Sequence, residues 1–432
     1  MRLHWFVTSS ALLAACAGSS GFREHDTEVA AWSHAERDRV TSADVAFGSE
    51  LDRAALVAAV LARNPDLEAA RASWRAAIAS YPGATALPDP TASYEMAPLT
   101  IGSDVRFGQR VAVSQKLPWP GKRALAGEAA LADADAAEAD YATLRLALAE
   151  ATVDAFDDDY VAARALEVNA HHHALFERIE KSAIAQYTVG KASQQDPIEA
   201  RTEIIALDRE RLALETQQRD AVARLNRLLH RHPDAELPPP PAKLEIGDAA
   251  PASTEPHPQL VAAKARLRAR TADVDRADRA FYPDVEVMAS YDSLWDAWQQ
   301  RWMIGVAIDI PLQRSKRRAD GERAQAEQAK ATAEIESTSD MLDEQRDRAA
   351  RAIDEGRRAL TLDEQQLVPA ARERVDAALA GFSSGQNTFS TVVMAEHMLR
   401  DAELQVEQSR AELDRRLAAL DRAEGRVAGG AR

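Results

Sequence analysis

The sequence predicts a mainly α protein with a minor β component, in which long helical hairpins alternate with short strands. Three observations predict it. First, 46% of the 432 residues are hydrophobic but only 5% are aromatic, and 28% are charged. The apolar content is mostly Ala, Leu and Val, which suits long helices meeting through seams of small residues better than a thick globular core. Second, the chain repeats itself. Asn64-Pro65-Asp66-Leu67-Glu68-Ala69-Ala70-Arg71-Ala72 matches His257-Pro258-Gln259-Leu260-Val261-Ala262-Ala263-Lys264-Ala265 at an offset of 193. Residues 111–118 (VAVSQKLP) match 304–311 (IGVAIDIP), again at 193, and Tyr187-Thr188-Val189-Gly190 matches Phe382-Ser383-Ser384-Gly385 at 195. Three landmarks in register indicate an internal duplication. Third, each copy holds stretches that alternate apolar and polar residues with period two.

The net charge of −16 speaks against a nucleic-acid partner and against a polybasic membrane contact. No run of eighteen apolar residues exists, so no transmembrane helix is expected. A β-barrel span leaves no such run, so a membrane role stays open.

Taken in order, residues 1–16 read MRLHWFVTSSALLAAC. Arg2, an apolar stretch from Trp5, and Leu13-Ala14-Ala15 before Cys16 resemble a bacterial lipoprotein signal. Such signals are cleaved before the Cys, whose thiol then carries lipid. An ordinary signal peptide with a chance Cys is the alternative. Both export the protein and remove residues 1–15 from the fold. Ala17, where an Asp would favour retention at the inner membrane, by resemblance favours the outer one. Cys16 is the sole cysteine, so once acylated it leaves no thiol or disulfide. Residues 16–50 read as an N-terminal tail.

Repeat 1 covers 51–237. A helix is expected at about 51–80, then two alternating segments, then Pro118-Trp119-Pro120-Gly121. A long helix follows at about 122–186, a turn at Gly190, and a returning helix at about 194–230. A linker at 238–256 opens with the tetraproline Pro238-Pro239-Pro240-Pro241. Repeat 2 covers 257–424 in the same order: a helix at about 258–281, two segments, a long helix at about 316–381, a turn at Gly385 and a helix at about 389–424. Gly356 and Pro369 are the only breaks expected in the second long helix. Residues 425–432 form a tail. Roughly 65 helical residues reach on the order of 100 Å, the length of a structure that crosses a cell compartment.

The alternation is cleanest in 301–311, where Trp302, Ile304, Val306, Ile308 and Ile310 oppose Arg301, Met303, Gly305, Ala307 and Asp309. In 284–292, Val285, Val287, Ala289 and Tyr291 oppose Asp284, Glu286, Met288, Ser290 and Asp292. In the first copy, Val105, Phe107, Val111, Val113 and Leu117 oppose Arg106, Gly108, Arg110, Ser114 and Lys116, with Gln109 and Gln115 interrupting the apolar face; 91–96 is the weakest segment. The lengths suit tilted strands crossing a bilayer, and Trp119, Trp295, Trp298 and Trp302 lie at or near their ends, where aromatic girdles sit. Two soluble hairpins with a buried face are the alternative, which leaves the Trp-rich loop 293–300 unexplained. A bilayer accepts no open sheet edge, and a barrel needs about eight strands or more, so four spanning strands require oligomerisation. Two copies make eight strands with a filled lumen; three make twelve with room for a pore. Charges on the lumen side (Arg106, Arg110, Glu286, Asp309) favour the water-filled version.

On these residues the chain resembles the TolC-like outer-membrane efflux proteins, over about 51–424. The most specific marks are residues 115–122 (QKLPWPGK), Leu87-Pro88-Asp89-Pro90, and Tyr187-Thr188-Val189-Gly190-Lys191-Ala192-Ser193. The resemblance implies a homotrimer in the outer membrane, with a shared 12-stranded barrel and a periplasmic α-barrel of helical hairpins. It implies docking to an inner-membrane pump, of RND type, through a periplasmic adaptor (a membrane fusion protein). It implies a passive duct without cofactor, not an enzyme. The PWPGK form looks most like the branch that serves heavy-metal efflux. The turns at Gly190 and Gly385 would lie at the periplasmic entrance, where relatives often carry acids on the returning helix. Thr391 and Met394 stand at the matching positions here, while the first copy keeps Asp196.

Met394, His397 and Met398 fall on one helix face, and thioether with imidazole suits soft metal ions; a Met-rich packing seam is the alternative. His171-His172-His173 cannot share a helix face and reads as a solvated patch, as does Asp157-Asp158-Asp159. No G-x-S-x-G, H-E-x-x-H or Walker-type loop is present. The competing function is a periplasmic adaptor lipoprotein. Adaptors usually carry one hairpin flanked by β-rich domains, whereas this chain orders two hairpins with strands between the helices.

Overall fold

A computed structural model describes residues 19–42, 47–98, 107–190, 193–251, 253–295 and 297–429. Cys16, the signal segment and Arg106 lie outside the described residues.

In chain order the elements are α1 (Ser19–Ser42), α2 (Arg53–Arg63), α3 (Pro65–Thr85), β1 (Thr91–Ala97), β2 (Gly108–Leu117), α4 (Lys122–Thr188), α5 (Gln195–Leu228), α6 (Pro258–Arg279), β3 (Asp284–Asp292), β4 (Trp302–Asp309), α7 (Arg314–Leu362), α8 (Val368–Ser383) and α9 (Phe389–Ala423). A π-helical segment, Asp363–Leu367, joins α7 to α8. No described helix is long and apolar enough to cross a membrane. The fold is thus mainly helical with one small sheet, as the sequence predicts.

Three local expectations are corrected. The helix expected at 51–80 is two helices. Asn64 precedes Pro65 and so avoids the α region; it is extended at ψ 127° and caps α2. Its side chain accepts from the Asp66 N–H at 2.9 Å and donates to the Leu228 carbonyl at 3.0 Å. Secondly, the long helix of repeat 2 continues through Gly356 and changes to π-helix just before Pro369, whose missing N–H disrupts the α ladder. Thirdly, the tail assigned to 16–50 contains α1. Trp32, Ala31 and Ala35 of that helix lie against the buried Trp74, Ile78 and Ala134, and the Arg75 guanidinium sits 4.8 Å from the Trp32 ring centroid.

The compact units do not coincide with the repeats. One unit combines α1 as far as Ala35, Ala70–Tyr141 and Pro258–Ser339; the other combines Glu36–Ala69, Ala142–His257 and Asp340–Arg432. Each takes matching pieces from both copies. The four strands form a single antiparallel sheet in the order β1-β2-β3-β4, so β2 of the first copy pairs with β3 of the second. A repeat therefore cannot complete its own sheet.

Candidate functional site

The sheet register decides which residues share a face. Val111 pairs with Tyr291 and Val113 with Ala289; Tyr291 pairs with Trp302, Ala289 with Ile304, Val287 with Val306 and Val285 with Ile308. Tyr94 and Ala92 extend this row on β1. The shared face is apolar and exposed: Ile304 is 86% exposed, and Trp302, Val306, Ile308 and Val113 are also open. In a soluble sheet this face would be the buried one. Gln109 and Gln115 interrupt it as expected, and the Gln115 amide donates to the Pro88 carbonyl at 2.6 Å.

The opposite face is charged. Arg110 clamps Asp292 through Nε at 3.0 Å and Nη2 at 2.7 Å, and reaches Glu95 at 3.3 Å. Lys116 pairs in register with Glu286 and lies 3.7 Å from Asp309. The three described candidates for the lumen, Arg110, Glu286 and Asp309, therefore share one face. Asp292, Glu95 and Lys116 complete the set. Asp292 was legible as the last polar position of the β3 alternation; only the register puts it against Arg110.

The strands join the helices through a rigid corner. Trp119 stacks on Tyr282 with ring centroids 5.3 Å apart, and its backbone N–H donates to Asp284 at 2.7 Å. Lys122 reaches the same carboxylate at 2.7 Å and the Tyr282 carbonyl at 3.0 Å. Gly121 turns the chain at φ +92°, a conformation that side chains avoid. At the other end of the sheet, the loop carries the exposed Trp295 and Trp298 beside Trp302.

The hairpin turns also form as expected. Gly190 (φ +73°) and Gly385 (φ +77°) take the left-handed conformation. Beyond them Asp196 lies in the first turn of α5 and Thr391 in the first turn of α9. The Ser193 N–H donates to Asp196 at 3.3 Å, and the Thr388 and Thr391 hydroxyls lie 3.1 Å apart. Phe389 and Val393 bury against Phe176, Ala200 and Leu207, so the two hairpins meet through apolar contacts. Met394 stays exposed, with its sulfur 3.9 Å from an Arg374 nitrogen. His397 turns to Glu203 on α5, Nε2 to carboxylate at 2.7 Å, while Met398 is exposed. His397 thus pairs with a carboxylate while Met394 and Met398 stay exposed; separately, no cluster of three His, Cys, Asp or Glu able to hold a metal exists among the described residues.

Two polar runs expected to be solvated are each partly buried: His171 stays exposed, but His172, Asp157 and Asp159 turn inward. His172 is 1% exposed, with Nδ1 3.4 Å from Glu396 and Nε2 3.4 Å from Glu403, both on α9. Burial disfavours its charged form, but the two carboxylates outweigh that and raise its pKa above the ordinary value. Asp157 and Asp159 are 0% and 1% exposed. Desolvation, with the Asp414 carboxylate next in weight, pushes the Asp157 pKa up to about 9 against the opposing pull of Arg415 and Arg53. Asp158 alone of that run is partly open and pairs with Arg415 at 2.6 Å and with Arg224. Sequence periodicity misses this because a helix of Ala and charges shows no dominant apolar face.

Residues 252–426 match the family model described as outer membrane efflux protein. No curated protein sequence matches the chain. Among solved structures it is similar to a membrane protein from Pseudomonas aeruginosa, at 24% identity and a TM-score of 0.77, covering 87% of this chain and 91% of that one. It is similar to the outer membrane protein VceC of Vibrio cholerae, at 20% identity and TM-score 0.72, covering 86% and 95%. The open-state MtrE outer membrane channel of Neisseria gonorrhoeae matches at 19% and 0.70, covering 87% and 89%. The second half of the chain thus carries the sequence pattern of the outer membrane efflux protein family, and the chain as a whole has the TolC-like fold of these outer-membrane channels.

Proposed function

We propose that the protein is the outer-membrane channel of a tripartite efflux system, a passive duct rather than an enzyme. The observation that carries this is the sheet. One face is apolar and exposed, the other is lined by Arg110, Glu95, Asp292, Lys116 and Asp309, and both edges, β1 and β4, are unpaired among the described residues. Lipid satisfies the first face, water the second, and other copies of the chain the edges. In an antiparallel sheet of four, β4 of one copy can continue antiparallel to β1 of the next, so the pattern closes without a fault. Three copies give twelve strands, enough for a lumen. The homotrimer, the periplasmic extension of helical hairpins, and the lipid anchor at Cys16 follow the family resemblance.

Gly190, Gly385, Asp196, Thr391 and Met394 would then face the periplasmic entrance, where an adaptor and an inner-membrane pump of RND type dock. The pump selects the cargo. We assign metal ions on the PWPGK form, with drugs or other small molecules as the alternative class.

The test uses the full-length protein in its native host and in planar bilayers. A heat-sensitive trimer in outer-membrane fractions, with stepwise conductance after reconstitution, is expected. A monomer that releases into solution once its lipid is removed, with no conductance, would sink the duct. Deleting the gene and scoring tolerance to copper, silver, zinc and a drug panel separates the cargo classes; loss of drug tolerance alone overturns the metal assignment.

A further inference from the structure

The corner between sheet and helices carries a feature that the duct does not require. Immediately after β4 the chain reads Ile310-Pro311-Leu312-Gln313-Arg314-Ser315-Lys316-Arg317-Arg318. Ile310 and Leu312 are 69% and 81% exposed, continuing the open apolar face of β4. Four cations follow within five residues, in a chain whose net charge is −16.

These cations divide by role. Arg317 is structural: its Nε donates to the Ala280 carbonyl at 2.8 Å and ties the start of α7 to the segment after α6. Arg314, Lys316 and Arg318 are exposed, and none of the three forms an ion pair among the described residues. Elsewhere in the same unit arginines do find acids: Arg266 with Asp140 at 2.5 Å, Arg276 with Asp273 at 2.7 Å. Asp320 and Glu322 lie one to two turns along α7 and leave these three unpaired.

The placement also works against the helix. No acid stands in the first turn of α7, where the helix dipole favours one and penalises cations. No ion pair among the described residues and no helix-dipole gain accounts for the cluster. Its height is fixed by its neighbours. Asp284 pairs with Asp309 at this end of the sheet, where Phe281 and Tyr282 are exposed and Tyr282 stacks on Trp119. Aromatic rings that border an apolar strand face mark the level of lipid headgroups.

We propose that Arg314, Lys316 and Arg318, with Ile310 and Leu312, form a docking collar for anionic phospholipid headgroups in the periplasmic leaflet of the outer membrane. The acyl chains lie along Ile310 and Leu312, and the phosphate meets the cations. The negative net charge, which speaks against a polybasic contact, averages over this local patch. The collar rests on the membrane reading above, and the two fail separately: conductance reports the duct, lipid preference reports the collar.

The test titrates full-length, detergent-solubilised protein with dioleoylphosphatidylglycerol or dioleoylphosphatidylcholine in mixed micelles, counting bound lipid by native mass spectrometry. The wild type is expected to prefer phosphatidylglycerol. R314Q/K316Q/R318Q should lose on the order of 100-fold in that preference while keeping its bilayer conductance. A charge-matched control, R209Q/R351Q/R358Q, should keep the preference. Leu312→Ser should weaken phosphatidylglycerol binding, whereas a site for free anions would not notice it and would be emptied by inorganic phosphate. Unchanged preference in the collar variant, equal loss in the control, or displacement by inorganic phosphate with no effect of Leu312→Ser would each overturn the collar.

Discussion

The sheet and the helical layer around Asp157 break opposite halves of the same rule. In the sheet, large apolar side chains stand outside: Ile304 is 86% exposed. In the helical unit, carboxylates stand inside: Asp157, Asp159, Asp414 and Glu396 are all buried. Neither inversion is stable in water alone. The first makes sense if the solvent of that face is hydrocarbon. The second makes sense if the acids are paired or hold a proton. Asp414 and Glu396 have such partners in Arg53 and His172, while burial raises the pKa of Asp157 and favours its protonated form.

The largest expected effect breaks the first half of the comparison. If the apolar face meets lipid, Ile304→Arg should destabilise the assembled protein by about 2–4 kcal/mol. Ala307→Arg, on the other face of the same strand, should cost less than about 1 kcal/mol. If the face met water, placing Arg at so exposed a position would be nearly neutral. Unfolding in lipid vesicles, followed by heat-modified gel mobility, reads the difference. Equal effects at the two positions would remove the lipid-facing assignment.

The second effect concerns the buried acids. A carboxyl whose folded pKa is raised contributes stability that is fully present below the unfolded pKa and is lost as pH rises through the folded one. For Asp157 the window runs from about 4 up to about 9. Asp157→Asn keeps the shape and removes the ionisation. It should stabilise the protein at pH 8 by roughly 1–3 kcal/mol and leave pH 4 unaffected. Thermal melts of the two proteins across that range check it. Parallel melting curves at every pH would mean that Asp157 keeps its charge, held by Arg53 and Arg415.

What the sequence disclosed follows the same division. Period-two alternation puts side chains on defined faces, so the strands, their faces and the polar set Arg110, Glu286 and Asp309 were readable from spacing alone. Glycines at the turns were readable because only they tolerate positive φ cheaply. The interior of the helices was not. His171-His172-His173 and Asp157-Asp158-Asp159 look solvated because charge normally marks a surface, and which member of each run faces inward depends on how α9 lies against α4. Pairing of β2 with β3 was equally hidden. A repeat suggests a domain, but nothing local says that each copy supplies half a sheet.

The smallest effect asks whether buried acids behave alike where the surroundings differ. Glu28 of α1 lies in the unit that contains the sheet, packed among Trp74, Glu138 and Asp135, with the Trp74 indole donating to it at 3.3 Å. Desolvation first, then the Glu138 carboxylate, raises its pKa to about 7. Its contribution is complete below about 4.5 and disappears as pH rises through about 7, so α1 should loosen in mildly alkaline solution. Glu28→Gln should abolish that dependence and hold α1 more firmly at pH 8, by about 1 kcal/mol after allowance for its partial burial. Hydrogen exchange at the α1 amides, compared with those of α5 as an internal reference, isolates the effect from global unfolding. Should α1 exchange with the same pH profile in both proteins, Glu28 is not what ties the helix down, and Trp32 between Arg71 and Arg75 becomes the contact that does.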